Sequence, residues 1–232
     1  EHQFFTILKD EKIDGILLAG DIFDRAVPPI EAIELWDSII TRLAMDYKVP
    51  FFVVSGNHDG AERLEVGRSM LSQSGIHIWG SPHHALQPFE FEGPDGNVAI
   101  CPMPFSEPRR IGDALGLSSA ASSLETDDTI EQNLDRNSDA TLNLHNYDQM
   151  YQAWSNHLRN QVPKGMRSIA ISHAFVMGGE VGGSERTLSV GGSEQVNPQV
   201  FKDFHYTALG HLHGPQRMGA DYIRYSGSPL KY

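Results

Sequence analysis

Four segments of the chain share one pattern, in which a short apolar run ends in a small residue and a polar cluster follows. They are IDGILLAGDIFD (13–24), VPFFVVSGNHD (49–59), RSIAISH (167–173) and YTALGHLH (206–213). Short apolar runs that stop at Gly or Ser are typical of buried strands, and the residues after them form loops at the carboxyl ends of those strands. The pattern therefore predicts four strands with polar groups at their carboxyl ends.

The segments between these strands follow the helical period. PPIEAIELWDSIITRLAMD (28–46) has apolar positions at helical spacing, and its two prolines suit a helix start. A second helix is predicted through AERLEVGRSMLSQSG (61–75) and a third through NYDQMYQAWSNHLRNQV (146–162), while NVAIC (97–101) resembles a further strand. Strand, helix and strand over residues 13–59 predict a βαβ unit, so the fold class is α/β.

Two segments are predicted to be loops. Residues 116–140 are rich in serine and acidic residues and poor in large apolar ones, which is typical of a surface insertion. Residues 178–197 contain six glycines in twenty positions, which predicts a flexible loop. This glycine-rich loop follows His173 closely, so we expect it to fold over any site that contains this histidine.

The composition, with 232 residues, 40% hydrophobic and 21% charged, fits one large globular domain. No apolar run approaches the roughly 18 residues that a membrane span needs, and the first residues lack a signal-peptide pattern. The single cysteine, Cys101, excludes an internal disulfide, and its apolar neighbours predict a buried thiol. We therefore expect a cytoplasmic protein without a membrane partner.

The formal net charge is −12, and residues 116–146 hold six acidic residues against one arginine, which leaves −7 elsewhere. Phosphate affinity comes from clustered lysine and arginine, so this charge argues against a broad nucleic-acid-binding face. A nucleic acid would have to be held by metal ions, by a partner or by local arginines. The candidates are Arg63, Arg109, Arg110 and Arg186, although solvated surface is the simpler interpretation for each.

The polar groups at the four strand ends are Asp21, Asp24, Asn57, His58, Asp59, His173, His211 and His213. Oxygen and imidazole donors without a thiolate suit Mn²⁺, Fe, Zn²⁺ or Mg²⁺. The set is too large for one ion, and a carboxylate such as Asp21 can bridge two cations in a hydrolytic site. Each piece alone would be interpreted as a turn or an ordinary histidine, but the repeated placement at strand ends favours a metal site. Glycines 20, 56 and 210 directly precede these clusters and allow the backbone to approach closely.

The blocks GDIFD, GNHD, ISH and GHLH resemble, in this order, the signature blocks of calcineurin-like metallophosphoesterases. The resemblance implies a sandwich of two mixed β-sheets flanked by helices. The flanking segments GDIFDRAVPP, ERTLSVGGSEQV and IRYSGSP are similar to those of SbcD, the family of nuclease subunits in bacterial SbcCD complexes. The resemblance also implies an Asp-x-His block upstream, which residues 1–20 do not contain. We therefore expect residues 1–232 to be one nuclease domain that lacks its first strand and its C-terminal cap.

The resemblance further implies two divalent metal ions, with manganese expected first and magnesium, iron or zinc as alternatives. Asp21 resembles the bridging carboxylate. Asn57, His173 and His211 resemble the ligands of one ion, and His213 resembles a ligand of the other.

His58 resembles the catalytic histidine that faces the scissile phosphate without binding metal. Asp24 lies where a residue near that histidine is often found, so we expect it to orient the ring, while Asp59 is expected to be structural. The implied function is a metal-dependent DNA exonuclease or endonuclease that cuts DNA ends or hairpins with an SbcC-like ATPase, in DNA repair, recombination and replication. The resemblance also makes a homodimer plausible.

Two alternatives remain open. A phosphatase or a cyclic-nucleotide phosphodiesterase would use the same fold and ligands, because substrate choice depends on the surrounding loops. A non-catalytic scaffold with an incomplete metal site would also retain the fold.

Overall fold

The computed structural model of this chain describes residues 2–117, 145–181 and 194–229. Most of the predicted insertion at 116–140 and of the glycine-rich loop at 178–197 lies outside these ranges, so both remain predictions. The helices are α1 (His2–Asp10), α2 (Ile30–Arg42), α3 (Ala61–Leu64), α4 (Arg68–Ser72), α5 (Pro108–Ala114) and α6 (Tyr147–Arg159). None of these helices is long and apolar enough to cross a membrane.

The strands form a three-stranded sheet, a six-stranded sheet and a two-stranded ribbon. The small sheet has the order β1 (Ile16–Ala19), β2 (Phe51–Val54), β3 (Ile76–Trp79). The large sheet contains β4 (Phe89–Phe91), β5 (Val98–Met103), β6 (Arg167–His173), β9 (Tyr206–Gly210), β10 (Gln216–Met218) and β11 (Ala220–Tyr225), in the order β10-β11-β9-β6-β5-β4. The ribbon pairs β7 (Phe175–Val176) with β8 (Gln195–Val196).

The α/β fold class is confirmed, with one refinement. The large sheet is mixed, since β4 and β10 pair antiparallel with their neighbours while the other pairs are parallel. The small sheet contains only parallel pairs within the described residues. Parallel pairing suits the connections through helices, because a parallel pair needs a crossover that returns the chain to the same end of the sheet.

Strand β2 explains how the layers are held together, because both of its faces are buried. Phe52 and Val54 pack with Trp79 in the core shared with the large sheet. The alternate residues Phe51 and Val53 pack in a second core with side chains of α1 and α2. Since neighbouring residues of a strand point to opposite faces, this apolar run of four can fill two cores at once. The small sheet therefore lies between a helical layer and the large sheet.

The helix predicted through residues 61–75 is wrong as a single element. The chain forms the short helices α3 and α4, and Gly67 between them has φ 76°. This left-handed conformation interrupts an α-helix, and glycine adopts it at little cost. The predicted helix at 146–162 is confirmed as α6, where the side chain of Asn146 accepts a hydrogen bond from the main-chain N–H of Gln149 and caps the first turn.

Cys101 lies in the core, as its apolar neighbours predict. It has no exposed surface, and burial raises the pKa of its thiol to about 12. A thiol with this pKa stays protonated near neutral pH and is a poor nucleophile. Cys101 therefore acts as a small apolar side chain of strand β5.

The four predicted polar clusters meet between the two sheets. Those at 20–24 and 56–59 follow β1 and β2 of the small sheet, and those at 173 and 210–213 end β6 and β9 of the large sheet. Strand β1 packs on β6 and β9, which brings the carboxyl ends of all these strands together. The register pairs His173, the last residue of β6, with Gly210, the last residue of β9. His211 therefore lies one residue beyond the end of β9.

Candidate metal centre

Four side chains from the four strand ends converge on one point. The possible ligand atoms of Asp21, His173 and His211 all lie within 4.8 Å of one another. The Oδ1 atom of Asn57 lies 2.9 Å from Nε2 of His173 and 3.2 Å from Nδ1 of His211. The Oδ2 atom of Asp21 lies 3.4 Å from the same Nε2. The four residues predicted to share one ion are therefore close enough to do so.

The protonation state of His173 is fixed by its surroundings. Its Nδ1 lies 2.8 Å from the carbonyl oxygen of Ala19, which can only accept, so Nδ1 carries the proton and Nε2 presents a lone pair. The side chain is fully buried, and burial lowers the pKa of His173 to about 4. The imidazole is therefore neutral near pH 7, with its unprotonated nitrogen directed into the site. Carbonyl oxygens commonly orient metal-binding histidines in this way.

This donor set fits a divalent cation. The Nε2 lone pair of His173, the carbonyl oxygen of Asn57 and the carboxylate of Asp21 all direct electron density toward the same small volume. Such groups repel one another unless a positive charge lies between them. Nitrogen and oxygen ligands of this kind suit Mn²⁺, Fe, Zn²⁺ or Mg²⁺.

Asp21 is held in an unusual conformation. Its φ is 51°, in the left-handed region that residues other than glycine rarely adopt, and His211 has φ 116°. Conformations of this kind cost about 1–3 kcal/mol and persist only where the surroundings impose them. Burial raises the pKa of the Asp21 carboxyl, and the main-chain N–H of His58, which donates to Oδ1 at 3.1 Å, opposes this rise. Both strained residues are predicted metal ligands.

Glycine at positions 20 and 56 allows this crowding. A side chain at Gly20, whose φ is 85°, would overlap the ring of His173. A side chain at Gly56 would overlap the main chain and carboxylate of Asp21. Close approach of the backbone to the site therefore requires residues without a Cβ atom, which is the role that the sequence analysis assigned to these glycines.

His58 lies beside the convergent ligands and is half-buried. Its Nδ1 lies 3.0 Å from the main-chain carbonyl oxygen of Asp24 and must donate to it, which leaves Nε2 available to a substrate. The Asp24 side chain is 63% exposed, and its carboxylate accepts from Arg25 instead. Asp24 thus contacts the ring through its main-chain carbonyl, and a catalytic role for its side chain stays a prediction.

His213 lies near the centre but outside the group of mutually close ligand atoms that the described residues form. It lies close enough that a positive charge on its ring would lower the pKa of both Asp21 and His173. The main-chain carbonyl of His213 accepts a hydrogen bond of 2.9 Å from the N–H of Ser228, so the predicted SbcD-like tail packs against the GHLH block. Its role as a ligand of a second ion stays a prediction.

Two of the four arginines considered for phosphate contact, Arg63 and Arg110, have other contacts among the described residues. Arg63 donates to the carbonyl oxygen of Ala26 at 2.9 Å, and Arg110 pairs with Glu62 at 2.5 Å. Arg109 is exposed on α5, while residue 186 lies outside the described residues. The pairing of Arg110 with a carboxylate reduces the positive charge that it can offer to a phosphate.

Two tyrosines that the sequence analysis did not single out hold the segment around His173. The hydroxyl of Tyr151 donates to the carbonyl of His173 at 3.4 Å. The hydroxyl of Tyr225 donates to the carbonyl of Ala174 at 2.6 Å and accepts from the N–H of Val176 at 2.9 Å. A tyrosine within an apolar run indicates burial, but no feature of the sequence names the main-chain groups that its hydroxyl will bind.

Comparison with known proteins agrees with the resemblance. The sequence model of the calcineurin-like phosphoesterase family matches residues 2–215. A curated relative from Bacillus subtilis (strain 168), described as the SbcD component of the nuclease SbcCD, is 33% identical over 232 residues. The match covers 98% of this chain and 54% of the relative, so the chain spans about half the length of that protein.

Proposed function

Because the chain belongs to the calcineurin-like phosphoesterase family, whose members use divalent metals, we propose that it is a metal-dependent DNA nuclease. It would hydrolyse phosphodiester bonds at DNA ends or hairpins. The observation that carries the proposal is the convergence of Asp21, Asn57, His173 and His211 beside His58. The choice of DNA rests on the similarity to a relative described as a nuclease and on the SbcD-like flanking segments.

The proposed ligands would be Asp21, Asn57, His173 and His211 for one ion, with Asp21 shared and His213 contributing to a second. When bound, the cations would neutralise phosphate charge and make water a better nucleophile near neutral pH. Asn57 is a neutral ligand, so it reduces the positive charge of the site less than another carboxylate would. Manganese is the proposed metal, with magnesium, iron and zinc as alternatives.

His58 would act on the phosphate itself. Its Nδ1 is held by the carbonyl of Asp24, so the ring is oriented and Nε2 is the nitrogen that can reach a substrate. A protonated ring would donate a proton to the leaving oxygen or stabilise the charge that develops on the phosphate. Proton donation by an oriented histidine is therefore the proposed catalytic contribution of this chain's own side chains.

Cleavage of end-labelled linear duplex DNA by the full-length protein in the presence of Mn²⁺ tests the proposal. We expect shortened labelled products with Mn²⁺ and none after chelation with EDTA. Hydrolysis of p-nitrophenyl phosphate, bis(p-nitrophenyl) phosphate and a cyclic nucleotide is measured with the same protein preparations.

The outcomes separate the alternative functions. Turnover of a small phosphoester or of the cyclic nucleotide without any cleavage of DNA would replace the nuclease by a phosphatase or a cyclic-nucleotide phosphodiesterase. Failure to bind Mn²⁺ and to hydrolyse any of these substrates would favour a non-catalytic scaffold.

We also propose that the protein forms a homodimer and binds an SbcC-like ATPase in the cytoplasm, in DNA repair, recombination and replication. Large apolar side chains are exposed on α2, at Ile30 (70%) and Ile33 (48%), and on and just before α4, at Met70 (76%) and Val66 (75%). A second copy of the chain could bury these side chains and remove them from water.

Because the net charge is −12, a partner such as the ATPase would have to supply the positive surface for DNA. In sedimentation velocity, the protein alone is expected to be a dimer, and a mixture with the ATPase is expected to contain a larger complex. A protein that stays monomeric and does not bind the ATPase would contradict both proposals.

A further inference from the structure

Asp59 belongs to the GNHD block, yet its carboxylate binds the main chain of two loops. Oδ2 accepts from the N–H of Gly56 at 2.8 Å and from the N–H of Ile22 at 3.2 Å. Oδ1 accepts from the N–H of Phe23 at 2.9 Å. The residue is only 9% exposed, so this carboxylate satisfies three main-chain donors largely away from water.

These three donors flank two of the proposed metal ligands. Ile22 directly follows Asp21, and Gly56 directly precedes Asn57. One loop follows β1 and the other follows β2. Asp59 joins the two loops through hydrogen bonds to main-chain N–H groups that do not involve the side chains of the proposed ligands. The same loops are also joined in the opposite direction, because the carboxylate of Asp21 accepts from the N–H of His58 at 3.1 Å. Each loop thus supplies a carboxylate that binds the main chain of the other.

We propose that Asp59 is a positioning residue that holds Asp21 and Asn57 at the separation required for a shared cation, before any cation binds. This inference rests on the proposed metal-dependent function. The sequence predicts only a structural role for Asp59, and the proposal adds an effect on metal affinity. A purely structural residue would affect the free energy of unfolding, whereas a positioning residue also sets the metal affinity of the folded protein.

The variant Asp59→Asn tests this role because it keeps the shape of the side chain. Its amide group provides an NH₂ where the carboxylate provided an acceptor oxygen, so at least one of the three N–H groups loses its partner. We expect the dissociation constant for Mn²⁺, measured by calorimetric titration of the folded full-length protein, to rise about 10–100-fold, as for other groups that orient metal ligands. Saturating Mn²⁺ is expected to restore most of the kcat for DNA, since no ligand has been removed.

Glu62→Gln is the matched control. It removes one negative charge three residues away, from a side chain on α3 that is 70% exposed and pairs with Arg110. Its dissociation constant for Mn²⁺ is expected to equal that of the unaltered protein. An Asp59→Asn variant with unchanged Mn²⁺ affinity, or an equal loss of affinity in Glu62→Gln, would overturn the proposal.

Hydrogen exchange on the unaltered, metal-free protein gives a second readout that no folding defect can obscure. The amides of Ile22, Phe23 and Gly56 are expected to exchange as slowly as amides within β2, because each is hydrogen-bonded to the Asp59 carboxylate. Fast exchange at these three positions would show that the bonds do not persist in solution, and would overturn the proposal even if Asp59→Asn failed to fold. Both readouts remain valid if the protein cuts no DNA, so failure of the nuclease proposal is distinguishable from failure of this one.

Discussion

Replacement of His58 by alanine is expected to lower the kcat for Mn²⁺-dependent DNA cleavage by about 10²–10⁴-fold, the usual contribution of a positioned acid or base. The affinity for Mn²⁺ is expected to stay unchanged. The measurements are kcat and KM on end-labelled duplex DNA, and the Mn²⁺ dissociation constant by calorimetry. The loss should fall on kcat, because the imidazole would act where charge develops during the reaction.

The structure explains why metal binding should survive this change. The contact between residue 58 and the metal ligands runs through its main-chain N–H, which donates to Oδ1 of Asp21 and is retained in alanine. The ring itself is oriented by the carbonyl of Asp24 and lies outside the group of convergent ligand atoms. The alanine variant therefore removes the proposed acid while it leaves the main-chain support of Asp21 in place.

His157→Ala is the matched control for this prediction. His157 is an exposed histidine on α6 whose Nε2 lies 3.1 Å from the carbonyl oxygen of Leu86, and it does not belong to the group of close ligand atoms found among the described residues. Its removal is expected to leave kcat unchanged. Unaltered cleavage by His58→Ala would contradict the proposed role of His58, and a parallel loss of Mn²⁺ affinity would make His58 part of the metal site instead.

The convergence of the proposed metal ligands could be anticipated because it follows from topology. Each block lies after an apolar run, and parallel strands place their carboxyl ends at one edge of a sheet. Asp21 and Asn57 thereby meet in the small sheet, and His173 and His211 meet in the large one. The packing of β1 on β6 and β9, which joins the two pairs, followed from the family resemblance and not from the pattern itself.

The groups that orient the ligands could not be anticipated in this way. The rings of His173 and His58 are held by the carbonyls of Ala19 and Asp24, and every residue type has a main-chain carbonyl. The sequence therefore indicates that an imidazole is present, but not which nitrogen faces the site. The same limit applies to Asp24: the resemblance predicts that this residue orients the ring of His58, but not that the contact is made by its main-chain oxygen. The helical pattern of residues 61–75 also does not predict the left-handed φ of Gly67, which separates α3 from α4.

Replacement of His173 by alanine is expected to abolish binding of the ion that we propose for Asp21, Asn57 and His211. The variant loses the unprotonated Nε2 that lies 2.9 Å from the Asn57 oxygen. It also leaves the carbonyl of Ala19 without its donor in a part-buried site, which costs at most about 1–3 kcal/mol of the free energy of unfolding. The measurement is thermal unfolding of the full-length protein with and without Mn²⁺, together with the number of ions bound per chain by calorimetry.

The effect on metal binding can be separated from the effect on folding, because each has its own signature. In the unaltered protein, free Mn²⁺ at 100 times the dissociation constant should add about 2.7 kcal/mol to the free energy of unfolding for each ion bound. His205→Ala is the control, since His205 is exposed and its Nδ1 accepts from the N–H of Ser168; it should keep the whole increment. If His173→Ala also kept it, His173 would not be a ligand. A reduced increment, with one ion fewer per chain, would mean that a second ion remains bound, as the proposed contribution of His213 requires.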